Sequence, residues 1–300
     1  MIKYKNMKGV KDMNSINIKA YAKINLALDV IGKRDDGYHE LNMIMQSIRL
    51  HDKIYIRKNN NREIKLKSNL PYIPVNHKNI VYKAVDLFRK TYNIKQGVFV
   101  NIYKQIPVSA GLAGGSTDAA ATIKGLNKLF NTGLSLEEMM ELGGKLGADV
   151  PFCMMMGTVL SQGIGDILTP LDKMPDCYIL LVKPSFSVST KKVYENFKLD
   201  HTISHPDISA SIKAIKNNDL PELSSHMANV LESVTIKKYP SINQIKKLML
   251  DNGAFVALMS GSGPTVFGLF EDKGVAKKAY DSIKNAKFRK RIFLTKPYWP

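Results

Sequence analysis

Residues 107–130 read P-V-S-A-G-L-A-G-G-S-T-D-A-A-A-T-I-K-G-L-N-K-L-F. Just upstream, Val98, Val100 and Ile102 alternate along the chain, the period of a strand. Downstream, Ala119, Ile123, Leu126 and Phe130 recur at helical spacing, so a helix is expected to begin near Ser116. Between them lies a turn built on Gly111, Gly114 and Gly115. Glycines let a backbone approach an anion closely, and the free N–H groups and dipole of a helix N-terminus then hold it. Strand, glycine turn and helix start therefore read as a phosphate cradle. It runs through Pro107, Val108, Ser109, Ala110, Gly111, Leu112, Ala113, Gly114, Gly115, Ser116 and Thr117. Ser116 and Thr117 place hydroxyls where a phosphate oxygen or a magnesium ion would sit.

The loop lacks the G-x-x-x-x-G-K-[ST] of a Walker A motif and the G-x-G-x-x-G of a dinucleotide fold. A bare glycine turn can also do no more than pack a helix on a strand. The full pattern resembles the P-x-x-x-G-L-[GSA]-[GS]-S-[ST]-D loop of the GHMP kinases, the family of galactokinase, homoserine kinase and mevalonate kinase. One departure is Val108-Ser109-Ala110 with Ala113, where that family carries more glycine. Alanine at 113 narrows the backbone conformations open to the loop.

The chain has 300 residues, 44% hydrophobic and 23% charged, the balance of a soluble globular protein of about two domains. Its formal charge of +18 suits anionic partners. The lysines are scattered, however, and no basic stripe interleaved with aromatics marks a nucleic-acid binder. No apolar run approaches the about 20 residues of a membrane span, and the basic start lacks the apolar core of a signal peptide. Cys153 and Cys177 form no C-x-x-C pair, which fits a reducing cytoplasm, and both adjoin apolar residues, as buried small hydrophobes do. A small-molecule enzyme is expected, monomeric or weakly dimeric, without nucleic acid or membrane. Residues 1–12 are expected to form a mobile tail.

Alternation predicts strands at Ile16–Ala22, Ile24–Val30, Leu41–Ser47, Asp52–Arg57, Glu63–Lys67, Tyr178–Val182, Val256–Met259, Thr265–Phe270 and Ile292–Lys296. Helical spacing predicts helices from Ile80 to about Phe88, from Ser116, and from a Ser135–Glu138 capping box to Gly147, the last carrying Leu136, Met139, Met140 and Leu146 inward. Further helices are expected at Thr190–Phe197, Asp207–Asn217, Leu220–Val234, Ser241–Asp251 and Lys273–Lys284. Strands and helices mix without strict alternation, which makes the class α+β. D-K-M-P-D at 172–176 suggests a boundary, giving domains at 1–174 and 175–300.

Four further strings carry chemistry. In A-Y-A-K-I-N-L-A-L, Lys23 and Asn25 share one face of a strand, which serves a site or simply faces solvent. In G-K-R-D-D-G-Y-H-E-L, Tyr38 and His39 follow a turn; such a pair can stack on a base and read its edge, or close a hairpin. In L-G-A-D-V-P-F, Asp149 is placed to take a proton from a hydroxyl, or is a turn residue. S-G-S-G-P-T at 260–265 is a rigid turn between strands. His201 and His205 are four apart, but Pro206 disfavours a metal site there.

Set beside the GHMP kinases, these strings fall in the family's order from about Ile16 to Lys296. The resemblance implies a two-domain architecture with the active site in a deep cleft between domains. It implies ATP on the glycine loop with Mg2+ on its phosphates and no protein metal site. It makes Asp149 the catalytic aspartate, with Lys23 keeping it ionised or stabilising the attacking oxygen, and Asn25 orienting the substrate. It sets 260–265 against the nucleotide loop. The strings at Lys23 and Tyr38 resemble one branch of the family. Its substrate is 4-diphosphocytidyl-2-C-methyl-D-erythritol, phosphorylated on the 2-hydroxyl in the non-mevalonate isoprenoid route. That branch implies Tyr38 stacking on cytosine, His39 reading its edge, and Tyr194, or failing that Phe186, closing the other face. A family member acting on homoserine, mevalonate or a sugar would not need those residues. A catalytically silent relative would be expected to lack Lys23 or Asp149.

Overall fold

Two long antiparallel strands form the spine of the chain: β1 (Ser15–Lys33) and β2 (His39–Asn59). The structure is a computed structural model and describes residues 13–199, 203–286 and 290–300; the expected tail at 1–12 and His201 lie outside the described residues. Each long strand replaces two shorter ones expected from alternation. In β1 the pattern is interrupted because the register shifts between Tyr21 and Lys23, Asn25 and Ala27, and Val30 and Gly32. Such bulges bend and twist a strand without ending it. From Ala22 to Val30 every residue of β1 is buried, so Lys23 does not face solvent.

β3 (Ile64–Ser68), α1 (Ile80–Thr91), β4 (Gly97–Tyr103), α2 (Gly114–Phe130), α3 (Leu136–Gly144), α4 (Asp149–Met155), β5 (Thr158–Gly163) and β6 (Ile167–Pro170) complete the first half. Its six-stranded sheet runs β3-β4-β2-β5-β6, with β1 also paired to β2. One half of β2 pairs with β4 and the other with β5. α2 presses on this sheet at Gly125, where a Cβ would stand 2.5 Å from Ile56 Cδ1. The Ser135–Glu138 capping box forms, but α3 ends at Gly144 rather than Gly147, and Leu136 is exposed rather than inward. β5 and β6 carry too short an alternation to stand out before their partners, β2 for β5 and β5 for β6, are known.

The second half contains β7 (Tyr178–Pro184), α5 (Thr190–Asn196), α6 (Ile208–Lys216), α7 (Leu220–His226), α8 (Glu232–Lys238), α9 (Ser241–Asp251), β8 (Val256–Met259), β9 (Val266–Phe270), α10 (Lys273–Asn285) and β10 (Lys290–Thr295). The four strands form an antiparallel sheet in the order β10-β7-β9-β8. The single helix expected over 220–234 is two. Between α7 and α8 the backbone bonds to β1 instead: Leu28 N–H donates to Ala228 O at 2.9 Å, and Val230 N–H to Leu28 O at 3.1 Å. There the buried Asn229 donates to Met259 O at 2.6 Å and to Gly261 O at 2.8 Å.

The end of the chain sews the sheets together. Arg49 N–H donates to Lys296 O at 2.9 Å and Tyr298 N–H to Ser47 O at 2.8 Å. The Tyr298 ring stacks on Tyr21 at 3.7 Å, and burial pushes the Tyr21 phenol up to about 12. Both hydrophobic clusters draw on both sheets. Cys153 and Cys177 are free and buried in them. Among the described residues no helix is long and apolar enough to cross a membrane.

Candidate active site

β4 leads into the glycine loop through Lys104–Ile106, and one carboxylate fixes that exit. Asp52 Oδ1 accepts from the backbone N–H groups of Gln105 at 2.5 Å and Ile106 at 2.8 Å. Three residues of the loop then take left-handed backbone: Ser109, Gly111 and Ala113, the last at φ 53° as the N-cap of α2. Gly111 is required by close approach as well, since a Cβ there would lie 2.1 Å from Ser260 O. α2 begins at Gly114, two residues earlier than spacing suggests, and no side chain caps it. Thr117 N–H bonds to Ala113 O. The N–H groups of Gly114, Gly115 and Ser116 lack intrahelical acceptors, as at any helix start. An uncapped 17-residue helix thus points its positive end and free donors into the loop.

One cavity of about 1180 Å3 gathers the predicted residues. Lys23, Asn25, Tyr38, His39, Asp149, Tyr194 and the loop from Pro107 to Ser116 all line it. Thr117 does not join them. It is 2% exposed, and its hydroxyl donates to Tyr21 O at 2.7 Å, which ties α2 to β1. Of the two hydroxyls expected at a phosphate, only that of Ser116 belongs to the cavity wall.

Asp149 is the first residue of α4 rather than part of a loop. Lys23, 5% exposed, donates to Asn25 Oδ1 at 2.6 Å. It makes no ion pair with Asp149 among the described residues. Both charges nevertheless reach the buried Cys153 thiol. Burial pushes that thiol above its usual range; Asp149 adds to the shift and Lys23 opposes it. The 260–265 turn closes over this end: a Cβ on Gly261 would lie 3.5 Å from both Lys23 Nζ and Asn25 Oδ1.

Elsewhere on the wall the His39 and Tyr194 rings meet at 5.3 Å, tilted by 36°, with Phe197 edge-on to His39 at 6.3 Å. Tyr38 is 61% exposed, so it does not pack the hairpin. Burial, then the charge of Lys33, holds the His39 imidazole below its ordinary range, so it is neutral at neutral pH. Burial, then Asp149, pushes the Tyr194 phenol up. Phe186 is elsewhere, stacked on Tyr239 at 4.4 Å, and does not line the cavity. His205 bonds to Asp29 at 2.7 Å.

Sequence reading missed a buried cluster beneath the cradle. Lys104 Nζ donates to Asp52, to Asp118 at 2.7 Å and to the carbonyl of Gly114 at 3.1 Å. Its members come from β2, the end of β4 and α2, so no spacing betrays them. One lysine cannot fully satisfy two buried carboxylates. Among the described residues Asp118 Oδ1 has no hydrogen-bond partner, and burial, with Asp52 adding, pushes its carboxyl well above the ordinary carboxylate range.

For a magnesium ion the cavity offers hard oxygen donors, the Ser116 hydroxyl and the Asp149 carboxylate. Among the described residues no group of three or more His, Cys, Asp or Glu could cage a metal. That donor set fits Mg2+, which commonly binds one or two carboxylates plus substrate phosphates rather than an all-protein cage.

The fold and this site define a class, which comparison with known proteins confirms. The GHMP kinases N terminal domain model matches residues 79–157 and the GHMP kinases C terminal model matches residues 211–290. The chain belongs to the GHMP kinase family and is an ATP-dependent kinase. More particularly, it is 56% identical to the 4-diphosphocytidyl-2-C-methyl-D-erythritol kinase of Lachnoclostridium phytofermentans, across 95% of this chain and 98% of that one. It is 53% identical to the protein of the same name from Clostridium botulinum, across 90% and 96%. A crystal structure of 4-(cytidine 5'-diphospho)-2C-methyl-D-erythritol kinase superposes with a TM-score of 0.81 at 28% identity, across 95% of this chain and all of that one. The homoserine kinase of Cytophaga hutchinsonii, at 19% identity and TM-score 0.75 across 97% of each chain, shares the fold.

Proposed function

We propose that this chain transfers the γ-phosphoryl group of ATP to the 2-hydroxyl of 4-diphosphocytidyl-2-C-methyl-D-erythritol, in the non-mevalonate isoprenoid route. The observation that carries the reading is the shared cavity: an uncapped helix start, an acid at Asp149 and an aromatic cluster around His39 open into one space. At about 1180 Å3 it exceeds the roughly 300–1,000 Å3 of an ordinary ligand pocket and suits two ligands side by side.

In this reading the triphosphate lies on the loop from Pro107 to Ser116, held by backbone N–H groups. Cytosine sits between Tyr38 and Tyr194, and the neutral His39 ring hydrogen-bonds its edge. Asp149 accepts the proton of the 2-hydroxyl as that oxygen bonds to the γ-phosphorus. The bond from phosphorus to the bridging oxygen breaks, and ADP departs with the electron pair. Lys23, with no carboxylate partner among the described residues, offsets the charge developing on the oxygens, and Asn25 orients the alcohol. Mg2+ would be held by the Ser116 hydroxyl with the phosphates, and would supply charge neutralisation. Phosphoryl transfer asks little covalent chemistry of a protein; positioning and electrostatics dominate.

The chain is taken to work in the cytoplasm as a monomer or weak homodimer, divided near 174 between its two sheets. ADP release with the cytidyl alcohol, homoserine and mevalonate supplied separately tests the reading. Turnover is expected with the cytidyl alcohol alone. Comparable turnover with either of the others would contradict it.

A further inference from the structure

Among the described residues four lysines line the cavity: Lys23, Lys33, Lys104 and Lys191. Their surroundings sort them. Lys104 is neutralised by Asp52 and Asp118. Lys191 lies 3.8 Å from Glu195, one helical turn on. Lys23 is bound to the neutral Asn25, at the end of the cavity where Gly261 closes over it. Lys33 has neither an ion pair nor a hydrogen-bond partner among the described residues, and it is exposed at the last position of β1. The neighbouring cation of the same turn is not free in this way: Arg34 reaches Asp36 at 3.0 Å and Glu40 at 3.2 Å.

Lys33 stands directly across the β1–β2 ladder from His39. Opposed residues of an antiparallel pair project from the same face of the sheet, about 5 Å apart at Cβ. An unpaired ammonium on a flexible stem is therefore beside the ring that reads the base. Its charge is felt there, since it contributes to holding the His39 imidazole down. A cytidine seated at His39 carries its 5′ substituent out past its ribose. When that substituent is a diphosphate, its negative charge must be matched on entering a partly apolar cavity. Of the cavity's cations among the described residues, Lys33 is the one both unmatched and next to the base slot.

We infer that Lys33 grips the diphosphate of the substrate and makes the site selective for a cytidine diphosphate ester over an uncharged cytidine. The inference rests on the cytidine reading above. It adds a specificity-determining residue distinct from those at the phosphoryl-transfer centre.

The test is calorimetric titration of the full chain, its nucleotide cradle saturated with ADP, by cytidine 5′-diphosphate and by cytidine. The wild type should bind the diphosphate about tenfold more tightly, the equivalent of one charge-assisted hydrogen bond at a wet site. Lys33→Gln should erase that preference while leaving cytidine affinity unchanged, and Lys33→Arg should keep it. Lys33 is exposed, so these variants fold. An undiminished preference in Lys33→Gln, with both ligands still binding, would overturn the role of Lys33 alone. Failure of the wild type to bind either ligand would overturn the cytidine reading and this inference together.

Discussion

Ser260 donates its hydroxyl to the carbonyl of Gly111 at 2.8 Å, joining two glycine turns from opposite halves of the chain. The contact is close because Gly111 has no side chain. The C-terminal turn thereby sets the curvature of the loop proposed to hold the triphosphate. Ser260→Ala should remove one buried hydrogen bond, about 1 kcal/mol, and raise KM for ATP several-fold with kcat little changed. Gly111→Ala should be far worse, because its Cβ would overlap Ser260 O and its φ of 75° disfavours any side chain. Steady-state kinetics with varied ATP, alongside urea denaturation of both variants, measure the difference.

The Asp52–Lys104–Asp118 cluster makes a separate prediction about stability. Lys104→Met keeps the bulk but leaves two buried carboxylates without their cation, a loss of about 3–5 kcal/mol in unfolding free energy. Asp118→Asn acts differently. The Asp118 carboxyl is raised in the folded protein, so the native state holds its proton more tightly than the unfolded chain does. Its contribution to stability is full below about pH 3.8 and is lost as pH rises through the raised value. The asparagine variant should flatten that decline. Urea midpoints from mildly acidic to neutral pH, wild type against variant, show whether the slope disappears.

The contrast between cradle and cluster explains what the sequence could tell. Gly111 and Gly114 lie in a string whose local chemistry is legible, because a turn into a helix start needs glycine there, whereas Asp149 stands out only through the resemblance to the family. Asp52, Lys104 and Asp118 meet only through the pairing of β2 with β4 and the docking of α2. Asn229 escaped for the same reason: local spacing favours helix, but Leu28 claims its neighbours' backbone. Thr117 looked like a phosphate hydroxyl because hydroxyl residues belong at a helix start; Tyr21 O, distant in sequence, took it. Each long strand reads as two in the sequence because bulges break the alternation on which strand reading depends.

The roles proposed for Tyr38 and His39 at the base are tested separately. Tyr38→Ala removes an exposed stacking face and should raise KM for the cytidyl substrate by the equivalent of about 1–3 kcal/mol, with KM for ATP unchanged. His39 acts as a neutral ring because burial and Lys33 depress its pKa. KM for the cytidyl substrate should therefore rise on acidification with a midpoint below the ordinary histidine value of about 6.5. A rise centred at or above about pH 6.5, the ordinary histidine value, would remove the neutral imidazole from its role.

Asp149→Asn tests the centre of the account most directly, because asparagine keeps the shape of the acid and cannot take a proton. Turnover of the cytidyl alcohol should fall by about 10²–10⁴, the usual worth of a general base, while calorimetry shows ATP and the alcohol binding as in the wild type. A kcat within a few-fold of wild type, with both ligands bound, would contradict the assignment of Asp149 as the acceptor of the substrate proton.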